Sequence, residues 1–94
     1  MARPAETPRG QAYLVEHYRP GLDVAELRRW VTRIGAAAGT LEREGKPVRL
    51  LRSTIVPGDE SLLCVLEAAS EQLVREVYER AAIPFERISI AIAD

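Results

Sequence analysis

The chain has one cysteine and one histidine among its 94 residues, and only 5% of its residues are aromatic. The single cysteine, Cys64, excludes an internal disulfide and every metal site built from several cysteines. No apolar run approaches the roughly 18 residues that span a bilayer, and the N-terminus carries no apolar run typical of a signal peptide. We therefore expect a cytoplasmic protein with no membrane partner.

An excess of charge of one sign is also missing, because 13 basic and 14 acidic residues leave a net charge of −1. This balance argues against nucleic acid as a partner, since proteins that bind it usually carry a strongly basic surface. The apolar share of 47% is that of an ordinary globular domain. A chain this short buries only about 60–70% of its unfolded surface, which favours a homodimer.

Hydrophobic patterning predicts four strands, in which β-branched, aromatic and alternating apolar residues concentrate. They cover residues 12–18, 48–56, 61–68 and 86–93. Two amphipathic helices are predicted between them, after the N-capping residues Asp23 and Ser70. A turn at Pro57-Gly58-Asp59 joins the middle strands as a hairpin.

The first ten residues contain two prolines and few large apolar groups, so residues 1–10 are predicted to form a mobile arm and residues 11–94 a single domain.

The order βαββαβ predicts an α+β, ferredoxin-like fold: a four-stranded antiparallel sheet with two helices on one face. In the last strand, Ile88, Ile90 and Ile92 are expected to meet the helices. Apolar residues recur on both faces of the strands, so we predict that a second copy covers the other face, as a dimeric α/β barrel.

Three segments carry a resemblance to a known family: YLVE, LCVLEA, and the closing AAIPFERISIAI. Over residues 12–93 the chain resembles small ferredoxin-like bacterial proteins that include a nickel-binding member. The resemblance implies nickel as a candidate metal. Such relatives commonly carry a tryptophan and a histidine in the second strand, where Leu50 and Arg52 stand here. A guanidinium does not ligate metals, so any ligand role of that histidine is lost in this chain.

The one histidine, His17, is predicted at the end of the first strand, partly exposed. It is the candidate metal ligand together with Glu16, and a dimer could complete the site with a second His17 or with Glu16 or Glu67 of the other copy. Imidazole and carboxylate are both common metal ligands.

The sequence contains a loose duplication, in which YLVEHY and the capped helix after it are echoed by LCVLEA and its capped helix. Glu16 and Glu67 hold equivalent positions in these two half-repeats, which could place both carboxylates on one face of the sheet. Two close carboxylates raise the pKa of one of them, which suits acid–base catalysis. Arg52 is expected on the face of Leu50 and Thr54, where it either pairs with one of these glutamates or clamps an anionic ligand. Tyr18 and Arg52 are the candidate ligand-binding residues.

Three functions remain open at this point. The first is a small binding protein that holds a metal ion or a small ligand in a cavity lined by the sheet. The second is a cofactor-independent oxygenase, isomerase or cyclase with Glu16, Glu67 and Arg52 as its catalytic residues, which the dimeric barrel architecture allows by analogy. The third is an interaction module without a ligand.

Overall fold

The computed structural model describes residues 10–92. The predicted mobile arm over residues 1–10 therefore lies outside the described residues except for Gly10, and the division into arm and domain stays a prediction. The elements are β1 (Gln11–Tyr18), α1 (Val24–Arg43), β2 (Val48–Val56), β3 (Ser61–Ala68), α2 (Glu71–Ala81) and β4 (Arg87–Ala91). No helix within the described range is long and apolar enough to cross a membrane.

The four strands form one antiparallel sheet in the order β2-β3-β1-β4. Both helices lie on one face, so the predicted α+β, ferredoxin-like fold is confirmed. A short 3-10 turn over Pro57–Asp59 joins β2 and β3, as expected for the hairpin. The central strands β1 and β3 therefore carry the side chains nearest to the middle of each sheet face.

Both helices begin at the predicted capping residues. The Asp23 carboxylate accepts a hydrogen bond from the backbone N–H of Glu26 at 2.8 Å. The Ser70 hydroxyl accepts one from the N–H of Leu73 at 3.3 Å. Each bond satisfies one of the N–H groups that the first turn of a helix leaves without an intrahelical partner.

Alternation along the strands divides the sheet into two faces. The helix face carries Tyr13, Val15 and His17 of β1, which are all buried. Their partners in β3 on this face are Leu66, Cys64 and Leu62, each with no exposed surface. The open face carries the intervening residues of both strands, and no helix of the described part of the chain covers it. The hydrophobic core therefore lies between the helix face and the two helices.

The edge strand β4 meets the helices only in part. Ile88 packs against the core, whereas Ile90 is 63% exposed and Ile92 is 83% exposed. Ile90 pairs with the buried Tyr13, so Ile90 lies on the helix face of the sheet, as predicted. The expectation that all three isoleucines meet the helices is wrong for Ile90 and Ile92, because neither helix packs closely over this edge.

A β-bulge interrupts β2 and changes which way its side chains point. Leu50 pairs with Leu66, but the next pair joins Arg52 to Val65, so Leu51 is an extra residue in the ladder. Leu50 packs against the core, while Arg52 lies on the open face across from Val65. The prediction that Leu50 and Arg52 share a face is wrong, because an inserted residue shifts the alternation by one position.

Candidate functional site

The open face combines a central apolar strip with charged groups at two corners. Leu14, Leu63 and Val65 form the strip and are half-buried. The charged groups come from both glutamates singled out in the sequence and from arginines of the two edge strands. This face therefore offers apolar contact area and polar groups on one accessible surface.

Each glutamate on the open face has its own arginine partner. The Glu16 carboxylate accepts a hydrogen bond from Arg87 at 2.8 Å, and the Glu67 carboxylate accepts one from Arg49 at 3.2 Å. Both pairs connect neighbouring strands of the antiparallel sheet. The negative charge of each carboxylate is thus compensated within the face.

The two glutamates share the open face but do not come close to each other. Glu67 lies opposite Ala12 in the β1–β3 pair, while Glu16 lies four residues further along the same strand, opposite Leu63. That offset corresponds to about 13 Å along the strands. Glu16 and Glu67 therefore do not form the close carboxylate pair that shared acid–base work or a shared cation would need.

Arg52 is the arginine of the open face that has no ionic partner among residues 10–92. The carboxylates expected to pair with it, Glu16 and Glu67, are bonded to other arginines instead. The Arg52 side chain lines a cavity of about 250 Å³ beside the apolar strip. Its positive charge therefore remains available on this surface.

A second and larger groove lies at the hairpin end of the sheet, with a volume of about 620 Å³. Tyr18, which is 55% exposed, lines it. Four carboxylate residues line it as well: Glu16, Asp59, Glu60 and Glu86. Tyr18 and Arg52 thus line different concavities and do not form a joint ligand-binding pair.

His17 lies on the helix face and is 2% exposed, not partly exposed as predicted. Its Nδ1–H donates a hydrogen bond to the Leu62 carbonyl oxygen at 2.8 Å. A carbonyl only accepts, so in the neutral ring the proton is on Nδ1 and Nε2 carries a lone pair. Burial lowers the pKa of His17 below its ordinary value of 6.5, and the bond to Leu62 opposes this shift only in part.

Aromatic rings surround the buried imidazole. The Tyr78 ring centroid lies 5.2 Å from that of His17, and the Trp30 centroid lies 6.2 Å away. Neither Nε2 of His17 nor the hydroxyl of Tyr78 has a hydrogen-bond partner among the described residues. Burial raises the pKa of Cys64, which adjoins the Tyr78 hydroxyl, to about 11, so this thiol stays protonated.

The candidate metal ligands His17 and Glu16 are not brought together. They are adjacent in β1, so their side chains leave opposite faces of the sheet. Among residues 10–92, no three side chains of histidine, cysteine, aspartate or glutamate form a group that could hold a metal ion. The residues therefore do not fit a nickel site within one chain.

Two residues of this region were not singled out as site residues in the sequence. Tyr78 forms the wall beside His17, and its place in the apolar stripe of α2 gives its burial but not its contact with the imidazole. Leu51 lines the cavity of Arg52. The sequence gives no signal for Leu51, because its place in the cavity depends on the bulge and nothing in the residues of β2 marks the bulge.

Comparison with known proteins gives two findings. Residues 13–90 match the model of the family described as nickel responsive protein SCO4226-like. The crystal structure of SCO4226 from Streptomyces coelicolor A3(2) superimposes with a TM-score of 0.69 and 19% sequence identity, over 88% of this chain and 98% of that chain. A search of curated proteins finds no match. At 19% identity, the structural likeness supports the fold alone.

Proposed function

The chain belongs to the SCO4226-like family of nickel responsive proteins, and on that premise we propose that it is a small binding protein whose ligand-binding surface is the open face of its sheet. The resemblance drawn from YLVE, LCVLEA and the closing segment is confirmed by this membership. The proposal rests on the open face itself, where an apolar strip and accessible charged groups lie side by side.

We propose further that the binding protein is a homodimer joined through this face. The strip of Leu14, Leu63 and Val65 is only half-buried in a single chain, and a sheet with apolar side chains on both faces gains stability from a second layer. A second copy supplies such a layer. The flanking pairs Glu16–Arg87 and Glu67–Arg49 compensate their own charges, which lowers the cost of covering them.

The oligomeric state tests this proposal. In sedimentation velocity, we expect the wild-type protein to be a dimer and Leu63→Arg to be a monomer, because the substitution places a charge in the middle of the strip. Ile90→Arg is the matched control, since Ile90 is an exposed isoleucine on the helix side of the edge strand. Circular dichroism would verify that both variants fold. A monomeric wild-type protein, or a Leu63→Arg variant that remains dimeric, would overturn the homodimer.

Small organic ligands fit the open face better than nickel does. His17 is buried on the helix face, its Nε2 has no hydrogen-bond partner among residues 10–92, and no three potential ligand side chains of these residues form a group that could hold a metal ion. A second copy that covers the open face cannot bring two His17 side chains together, because they lie on the opposite side of each sheet. We therefore infer that the nickel response named for the family does not use His17 as a ligand in this chain.

Elemental mass spectrometry of untagged protein, followed by calorimetric titration with nickel, tests this inference. We expect no stoichiometric nickel in the wild-type protein and the same result in His17→Phe, which keeps a ring in the buried position. Stoichiometric nickel in the wild-type protein that is lost in folded His17→Phe would contradict the inference. It would identify His17 as a ligand despite its burial.

A further inference from the structure

We propose that the cavity beside Arg52 is a receptor for a small organic anion, a molecule with one carboxylate and a compact apolar body. This inference deepens the proposed function, because it takes the open face as the binding surface and names the class of ligand. The cavity is present in a single chain, so the inference does not depend on the homodimer.

The β-bulge in β2 creates the cavity. Leu50 turns toward the core, where its Cδ2 lies 3.7 Å from the position that a Cβ on Gly35 would occupy. The extra residue, Leu51, and the following Arg52 then both line the same concavity on the open side. Bulges are frequent next to binding sites, where they redirect a side chain that regular alternation would place elsewhere.

The rest of the cavity is apolar and small. Its volume is about 250 Å³, below the roughly 300–1,000 Å³ that is usual for drug-sized ligands. Ala12 and Ala91 are cross-strand partners in β1 and β4, and their methyl groups leave room that larger residues would fill. Besides these alanines, the apolar lining consists of Leu51, Val65 and Ile92.

Among residues 10–92, Arg52 is the only polar side chain in the lining. Arg49 and Arg87, the other arginines of the open face, are each bonded to a glutamate, whereas Arg52 has no such partner among the described residues. A guanidinium presents parallel N–H donors that match the two oxygens of a carboxylate. A single free guanidinium above an apolar floor therefore selects one negative charge attached to a hydrocarbon group.

A ¹⁵N-resolved NMR titration with benzoate, benzamide and acetate tests the proposal. Benzoate has both the charge and the apolar ring, benzamide lacks the charge, and acetate lacks the ring. We expect benzoate to shift the backbone amide signals of Ala12, Val65 and Ala91 at millimolar concentration. Benzamide and acetate should each bind at least about tenfold more weakly, since each lacks one of the two required interactions.

Substitutions assign the binding to this cavity. Arg52→Gln is expected to weaken benzoate binding at least about tenfold. Arg87→Gln, which makes the same change of charge at the far corner of the open face, should leave it nearly unchanged. Ala91→Leu keeps Arg52 but fills the cavity, and should also abolish the shifts. Because Arg52 is exposed, loss of binding in Arg52→Gln is not expected to reflect unfolding.

Several results would overturn the proposal: no benzoate shifts in the wild-type protein, shifts confined to another surface, or equal affinity in Arg52→Gln and the wild type. Equal binding of benzamide and benzoate would remove the anion from the proposal and thereby refute it. The homodimer is judged separately by sedimentation. A monomer that binds benzoate through Arg52 supports this inference and refutes the homodimer, while a dimer that ignores benzoate does the reverse.

Discussion

The two faces of the sheet hold titratable groups in opposite ways. On the helix face, His17 is buried with one ring nitrogen bonded to Leu62, and the other has no partner within residues 10–92. On the open face, the preceding residue, Glu16, is paired with Arg87 and reaches solvent. One step along β1 therefore separates a group whose protonation is tied to folding from one that can exchange partners at a surface. For this reason we propose the open face, and not the helix face, as the surface that binds polar ligands.

The largest expected change in the free energy of unfolding distinguishes two neighbouring leucines of β3. Leu62 and Leu63 are neighbours of the same residue type, but Leu62 is fully buried on the helix face and Leu63 is half-buried on the open face. Leu62→Ala should lower the free energy of unfolding by about 2–5 kcal/mol, because it leaves a cavity in the core.

Leu63→Ala should cost below about 1 kcal/mol in the monomer, since solvent or a neighbouring side chain fills the space. Urea denaturation at low protein concentration measures both changes without a contribution from association. Equal losses in the two variants would show that the open face is packed as densely as the core, and the distinction between the faces would fail.

We expect acid to destabilise the protein through His17, which is buried on the helix face. Its folded-state pKa lies below 6.5, so below pH 6.5 the unfolded chain binds a proton that the folded chain does not. The stability provided by neutral His17 is complete above pH 6.5. It is lost as the pH falls from 6.5 toward the folded-state pKa, with a slope of up to about 1.4 kcal/mol per pH unit.

Two measurements check this dependence. His17 is the only histidine, so its ring proton resonances in an NMR titration report the folded-state pKa without overlap from other imidazoles. Denaturation from pH 7.5 to 5 should show a smaller loss of stability in His17→Phe than in the wild type. A folded-state pKa at or above 6.5 would contradict the buried, neutral imidazole.

Most of the fold can be predicted from local patterns in the sequence. The two N-caps, Asp23 and Ser70, and the turn at Pro57 act within a few residues, and the alternation in β1 and β3 defines which side chains share a face. The burial of His17 also follows from that alternation, because Val15 and His17 fall on one face. Its place at the end of the strand nevertheless suggested exposure, since the cover given by Tyr78 and Trp30 comes from the helices.

The candidate site could not be predicted in the same way, because it depends on strand pairing and register, which no local sequence pattern specifies. Nothing in VRLLRSTIV marks Leu51 as an extra residue, because the bulge results from the pairing of β2 with β3. The separation of Glu16 from Glu67 follows from antiparallel register, which equivalence between half-repeats does not specify. Which carboxylate each arginine meets is likewise a property of the assembled sheet. The sequence therefore left open whether Arg52 pairs with a glutamate, and within residues 10–92 it has no ionic partner.

The smallest expected energy is the coupling between the charged partners of an ion pair on the open face. In a double-mutant cycle of Glu16→Gln and Arg87→Gln, we expect a coupling energy of about 0–1 kcal/mol that decreases with added salt, as for other solvent-accessible pairs. The Arg87 side chain is 69% exposed and that of Glu16 is 30% exposed, so water screens their attraction. Urea denaturation of the four proteins at low concentration gives this value for the monomer.

Repeating the cycle at high protein concentration joins this prediction to the proposed homodimer. If a second copy covers the open face, the pair loses its contact with water, and the coupling energy should rise and become less sensitive to salt. A coupling above about 2 kcal/mol at low concentration, unaffected by salt, would contradict an accessible face in the single chain. A weak coupling in the monomer that strengthens on association would show that Glu16 changes from a solvated to a buried setting while His17 remains buried throughout.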